Sequence, residues 1–415
     1  MKINSNLIEL NQSSTLAINE LSKELESQGK EIFKFGLGQS PFPIPKALTE
    51  ELKKNAHQKD YLNTSGLFSL REAVAKYHSV KNKYNYNASN VMIGPGSKEL
   101  IFQCQIAISG SLLLPSPSWV SYEPQAKILN KKVFWLNSTS KSNWHLNPEI
   151  LDEFCHQNKN FQKTLILNSP NNPSGTSHEK LEEFANIAKK HNLIIISDEI
   201  YAELDFSGQY KSITHFYPEG TIISSGLSKW CGAGGWRLGT LVFPDKLLHI
   251  KEIINSIASE TFTSVSAPIQ YASIKAYTEN HEEFLKKSRN ILKVISDYIY
   301  NELSEVGIKI IKPQGGFYMI CDFSDVILKN NQINDSVSLC NNILSEIGFA
   351  MLPGVNFGID EDLLISRIAF VDFDGSLALK NYNKIDKPYQ FLNTFCPKIV
   401  KGVSKLKDWI SQNKK

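Results

Sequence analysis

Lys229 and Arg237 stand eight residues apart in the stretch SSGLSKWCGAGGWRLG, which runs from Ser224 to Gly239. The lysine ends an apolar strand, and the segment leading to the arginine is rich in glycine. Two cations held that close in a low-dielectric setting repel each other and resist desolvation, unless an anion and a covalent partner await them. Three more junctions carry reactive residue types. GPGSKEL follows the strand VMIG, and its glycines turn the chain into a helix whose first amides, at Gly96, Ser97 and Lys98, form an anion cradle. SPNNPSG follows TLILN and contains Asn172, while DEIY follows LIIIS and contains Asp198 and Tyr201. Each has a bland alternative: a plain turn for GPGSK or NNPSG, a helix cap for Asp198, a surface lysine for Lys229, and a core or surface aromatic for Trp119. The order and spacing of the whole set argue against coincidence.

The elements that must position these residues are legible between about residues 90 and 245. VMIG, LLLP, VFWL, TLILN, LIIIS, TIISS and TLVFP read as seven strands, and their unbroken apolarity means that both faces are covered. Helical stretches such as Lys98 to Ile108 and Glu179 to Lys190 fall between them, which predicts an α/β fold with a mostly parallel sheet and helices on both sides. In such sheets ligands gather beyond the carboxyl ends of the strands, where all four junctions lie. After about residue 285 the pattern changes to long helices with a few strands, GGFYMICDF and LLISRIAF among them, and Ile399, Val403, Leu406 and Ile410 mark one apolar face of a last helix. Near the N-terminus, TLAINELSKELESQG reads as a helix ended by Gly29. The expected division is a large α/β domain at 46–285 and a smaller α+β domain built from 1–45 and 286–415.

A chain of 415 residues with 41% apolar residues, 21% charged residues and a formal charge of +3 is neither disordered nor strongly basic, which argues against nucleic-acid binding. MKINSNLIELNQSST lacks the apolar core of a leader, and no segment has membrane-spanning length, so a cytoplasmic enzyme is expected. The six cysteines are scattered, without metal-ligand spacing, and read as reduced thiols; no metal is expected.

Taken together, FGLGQSPFPIP, YLNTSGLFSLREAVA, VMIGPGSKEL, PSPSWVSYEP, NSPNNPSG, SDEIYAEL, SGLSKWCGAGGWRLG, GGFYMICDF and ISRIAF resemble, in order, the fold-type I, pyridoxal phosphate dependent aminotransferases of class I/II. The resemblance covers nearly the whole chain. It implies that Lys229 is the residue joined covalently to pyridoxal 5'-phosphate and the carrier of a proton, because a primary amine condenses with an aldehyde and can be released again. Asp198 is implied to face the pyridine nitrogen, Asn172 and Tyr201 the phenolic oxygen, and Trp119 a ring face. Arg237, the Gly96, Ser97 and Lys98 turn and the hydroxyls of Ser97 and Ser228 are implied to hold the phosphate, which resolves the problem of the two cations. Arg367 in ISRIAF matches the arginine that grips the substrate α-carboxylate, and Gly38 lets the backbone come close to it. Tyr61 matches a tyrosine that reaches the neighbouring subunit's cofactor, implying a homodimer with shared sites.

The implied reaction is a ping-pong transamination between an L-amino acid and a 2-oxo acid. Thr15 and Lys98 match positions that bind an acidic side chain in one branch of the family, which favours aspartate or glutamate with 2-oxoglutarate as acceptor; the plainer alternative makes Lys98 a solvated first-turn residue and Thr15 an N-cap. Gly226 stands where many relatives carry a phosphate-binding serine, so Ser225 or water is expected to supply that contact. GQSPF and GGWR also depart from the common GEPDF and TGWR. A β-lyase, an aminotransferase for aromatic or neutral amino acids, and a non-catalytic cofactor-sensing regulator are the alternatives.

Overall fold

A computed structural model describes residues 4, 7, 8, 10, 12–330 and 332–414. The reading of the extreme N-terminus as lacking a leader therefore falls largely outside the described residues. Seven strands form the main sheet: β1 (Val91–Gly94), β2 (Ser111–Ser116), β3 (Val133–Asn137), β4 (Lys163–Asn168), β5 (Ile194–Asp198), β6 (Thr221–Gly226) and β7 (Gly239–Val242). Their order is β1-β7-β6-β5-β4-β2-β3, and β7 alone runs antiparallel to both of its neighbours. All seven expected strands are present in a mostly parallel sheet. Alternate residues serve opposite cores: Leu112 and Leu114 pack with Met92, Ile166 and Ile196 on one face, while Leu113 packs with Leu165 and Ile195 on the other. That two-sided burial is why these strands are apolar throughout.

The helix Ser97–Ala107 starts one residue before its expected position, and Leu181–Lys190 starts two after. The helix Ser14–Ser27 stops where Gly29 adopts φ +84°, a left-handed conformation that glycine takes without strain. Beyond the 24-residue helix Glu282–Glu305 lies a four-stranded antiparallel sheet ordered Leu352–Pro353, Ile365–Ala369, Tyr318–Asp322 and Lys309–Ile310. The helix Pro397–Gln412 buries Ile399, Val403, Leu406 and Ile410, the four residues of the expected stripe. The N-terminal segment is tied to this second sheet region by the parallel pairing of Phe33–Lys34 with Phe349–Ala350 and by the Ala369 N–H on the Phe35 carbonyl at 2.7 Å. No helix among the described residues is long and apolar enough to cross a membrane.

Candidate active site

The carboxyl ends of β4, β5 and β6, the N-terminus of the helix Ser97–Ala107, the segment around Gly38 and the strands bearing Tyr318 and Arg367 converge on one cavity of about 440 Å³. Lys229, Asp198, Tyr201, Asn172, Ser97, Lys98, Trp119, Ser228, Arg237, Gly38, Arg367 and Thr15 all line it. Gly96 sits just behind, as the residue before the helix, with φ +98°. Tyr61 does not join the others: its side chain is 89% exposed and lies outside the cavity lining.

Lys229 Nζ donates to the Gly38 carbonyl at 2.7 Å. Asp198, the last residue of β5, is buried, and its Oδ2 accepts from the phenol of the fully buried Tyr122 at 2.6 Å. Burial pushes the Asp198 carboxyl up to about 6, against the opposing pull of the Tyr122 hydrogen bond, the Ile200 amide and the Lys229 charge. Asn172 donates its N–H to Asn168 Oδ1 at 2.7 Å, and its own Oδ1 accepts from Arg367 Nη1 at 3.1 Å. The Tyr201 and Tyr318 hydroxyls meet at 2.9 Å, and burial, foremost, raises the Tyr201 phenol well above its usual range.

Arg367 is only 1% exposed. Its guanidinium lies 4.5 Å over the Tyr318 ring and bonds to Asn172 and to the Gly36 carbonyl, yet no carboxylate among the described residues pairs with it and its Nε has no partner. Burial lowers its pKa. Arg237 spans the Gly234 carbonyl at 2.9 Å and the Pro95 carbonyl at 3.1 Å, again with no carboxylate partner among the described residues. The Lys98 ammonium sits 5.2 Å over the Trp119 ring at the cavity wall, and its pKa is lowered first by partial burial and then by the charges of Arg237 and Lys229.

Two of the alternatives raised by the sequence fail. Thr15 is not the helix cap, because Ser13 holds that position. Ser225 cannot stand in for the serine missing at Gly226: it lines a different cavity, on the far side of the strand. A serine at 226 is itself obstructed, since a Cβ there falls 2.7 Å from the Leu238 carbonyl, just before the paired strand. At Gly38 the need for glycine has a source within the chain, for a Cβ there lands 1.8 Å from the Tyr318 hydroxyl. Tyr122, Tyr318 and Asn168 were not foreseen. Tyr122 stood in the quoted PSPSWVSYEP, but the 76-residue span to Asp198 carries no local signal.

The donor set fits pyridoxal phosphate. A Cβ on Gly96 falls 2.2 Å from Arg237 Nη2, and one on Gly239 falls 2.4 Å from Ser97 N, so bare backbone lets the arginine and the helix N-terminus form one anion cradle. Asp198 is a buried carboxylate whose side-chain partner is a neutral phenol, which suits a protonated ring nitrogen. No cluster of three or more metal-ligating side chains occurs among the described residues.

Residues 30–372 match the family model described as aminotransferase class I and II. The aspartate aminotransferase of Bacillus sp. (strain YM-2) is 29% identical over 371 residues, covering 86% of this chain and 92% of the relative. The asparagine–oxo-acid transaminase of Streptococcus mutans is 28% identical over 378 residues, covering 88% and 94%. In fold, the chain is similar to the Thermus thermophilus aspartate aminotransferase solved with maleate, at TM-score 0.84 and 23% identity, with 98% of this chain and 99% of that one covered.

Proposed function

The chain belongs to the aminotransferase class I and II family and is a pyridoxal phosphate dependent aminotransferase, and on that premise we propose that it moves the amino group of an acidic L-amino acid, aspartate foremost, to a 2-oxo acid such as 2-oxoglutarate in a ping-pong cycle. One observation carries the reading: the buried Arg367 guanidinium, unmatched by any carboxylate among the described residues and with Nε unpaired, shares a cavity with the Lys229 amine. A buried cation without a counterion calls for an anionic ligand.

When bound, pyridoxal phosphate supplies a ring that takes up the electron pair left as the amino acid's α-hydrogen departs as a proton. Lys229 would hold the cofactor covalently, and its Nζ, when free, would take that proton and give it back. With the group bound, Asp198 would keep a proton on the ring nitrogen, Asn172 and Tyr201 would serve the phenolic oxygen, and Trp119 would pack against the ring. Arg237, Ser97, Ser228 and the amides of Ser97 and Lys98 would hold the phosphate, whereas the Gly96 amide, expected in the same cradle, is given to the Gly94 carbonyl at 2.7 Å. Arg367 receives the α-carboxylate beside Gly38, and Thr15 and Lys98 receive the side-chain carboxylate. The names of the aspartate aminotransferase relatives support that choice of donor.

The same reading takes 46–285 as a large cofactor-binding domain and 1–45 with 286–415 as a smaller one. It includes a homodimer in which each exposed Tyr61 reaches the neighbouring subunit's site, and a cytoplasmic location, with which the six buried, unpaired cysteines agree. A panel of amino donors mixed with holoenzyme tests it by the visible absorption of the bound cofactor. Aspartate and glutamate should convert it fastest, with oxo acid released in proportion to sites. Release of ammonia and pyruvate would mark a β-lyase, and fastest conversion by aromatic or neutral donors would overturn the substrate class.

A further inference from the structure

Tyr318 lines the active-site cavity, is 2% exposed and meets three of the residues given roles above. Its hydroxyl lies 2.9 Å from the Tyr201 hydroxyl and 3.5 Å from the Gly38 carbonyl, the same carbonyl that Lys229 Nζ takes at 2.7 Å. Its ring lies under the Arg367 guanidinium at 4.5 Å. The sheet sets that contact: Ile320 pairs with Arg367 across two antiparallel strands, and Tyr318, two residues back, projects from the same face. The fit against Gly38 is as close, since a Cβ there would fall 1.8 Å from the phenol oxygen, so the bare backbone at 38 and the hydroxyl at 318 require each other.

A phenol carries one proton, and the direction of the bond between the two tyrosines decides what Tyr201 can do. If Tyr201 donates to Tyr318, it has no proton left for a ligand. If Tyr318 donates to Tyr201, the Tyr201 proton is free to point into the cavity. The other acceptor open to Tyr318, the Gly38 carbonyl, stands at the outer limit of a hydrogen bond and is already served by Lys229. The shorter contact, to Tyr201, is therefore the one that the Tyr318 proton takes. That direction makes Tyr201 a donor, and a hydroxyl that accepts one bond donates the next more strongly. Toward Arg367 the ring plays a different part: an aromatic face attracts the guanidinium without bringing a carboxylate that would compete for it. We propose that Tyr318 is a positioning residue for transamination, whose hydroxyl directs the Tyr201 proton to the cofactor's phenolic oxygen and whose ring holds Arg367 ready for a carboxylate. The proposal rests on the reading that places Tyr201 at that oxygen and Arg367 at the carboxylate, and it ties the two ends of the site through one side chain.

Two measurements on holoenzyme test it without turnover: the pH midpoint of the bound cofactor's visible absorption, and calorimetric titration with succinate. Tyr201→Phe should move the midpoint up, since a donor to the anionic oxygen is lost. Tyr318→Phe should move it the same way by a smaller amount, at least about 0.2 of a pH unit, and should add nothing once Tyr201→Phe is present. Tyr318→Leu, which lacks the ring, should bind succinate roughly tenfold more weakly than Tyr318→Phe, which keeps it. An unmoved midpoint in Tyr318→Phe beside a moved one in Tyr201→Phe, a shift that persists undiminished in the double variant, or equal succinate affinity in Tyr318→Phe and Tyr318→Leu overturns the proposal alone. An unmoved midpoint in Tyr201→Phe, or succinate affinity untouched by Arg367→Leu, overturns the reading beneath it and the proposal with it.

Discussion

The active-site cavity, at the front, and a rear cavity of about 250 Å³ share the ends of β5 and β6 but settle their charges in opposite ways. The front is lined by four cations, Lys98, Lys229, Arg237 and Arg367, and one carboxylate, Asp198. None of the four makes an ion pair among the described residues, and Lys229, Arg237 and Arg367 turn to backbone carbonyls. In the rear both cations are closed on glutamates, and the leftover charge is the single carboxyl of Glu199. Burial, above all, raises both neighbouring carboxyls, Asp198 to about 6 and Glu199 to about 7. A cavity with unmatched positive charge is folded at a cost to stability and stabilised by anionic ligands; the rear, with its cations closed on glutamates, carries only the cost of one unpaired buried carboxyl.

Removing a front cation should therefore damage function far more than folding. For Lys229→Ala, loss of proton transfer alone should lower turnover by roughly 100- to 10,000-fold. Borohydride treatment should then add no cofactor mass at position 229, as read by mass spectrometry; near-normal turnover would break the assignment. Arg367→Leu should lower kcat/KM for the amino acid by roughly 10- to 100-fold, since a charged hydrogen bond to the carboxylate is lost. The melting temperature of the cofactor-free chain should hold or rise, because an unmatched buried cation has gone. A sharp fall in that temperature would mean that the front cavity is charge-balanced after all.

A smaller effect should separate Asp198 from its neighbour. The Tyr122 phenol donates to the charged form of Asp198, so Tyr122→Phe removes a stabilising partner and raises that carboxyl further. The acid limb of cofactor affinity should move up by roughly one pH unit, measured as the dissociation constant against pH. Tyr122→Gln, which keeps a donor, should recover part of the shift. An unmoved limb in Tyr122→Phe would show that the bond at 2.6 Å only fills space.

Tyr122 also marks where reading from sequence stops. Lys229, Asp198, Asn172 and the Gly96 turn are legible because each follows a continuous apolar strand, and the carboxyl edge of such a sheet brings strand ends together whatever the detail. The register that sets Tyr318 against Gly38, or the Leu238 carbonyl against Gly226, depends on pairing between distant segments and has no local trace. Ser225 illustrates the same limit at short range: one residue along a strand exchanges the front face for the rear. Tyr61, 89% exposed, stands outside the front cavity of its own chain.

The smallest effect expected is on stability, and it belongs to the rear. The Glu199 carboxyl is raised from an ordinary 4.5 to about 7, by burial first and against the bonds from Ser212 and Ser197. The folded chain thus holds that proton more tightly than the unfolded chain, so stability falls as pH climbs from about 4.5 to about 7. The penalty is absent below this window and complete above it. Glu199→Gln keeps an acceptor for the two serines without the charge, and should stabilise the protein at pH 8 by on the order of 1–3 kcal/mol, with the gain vanishing near pH 4. Thermal melts across that range check it; a gain that persists at pH 4 would assign the effect to packing.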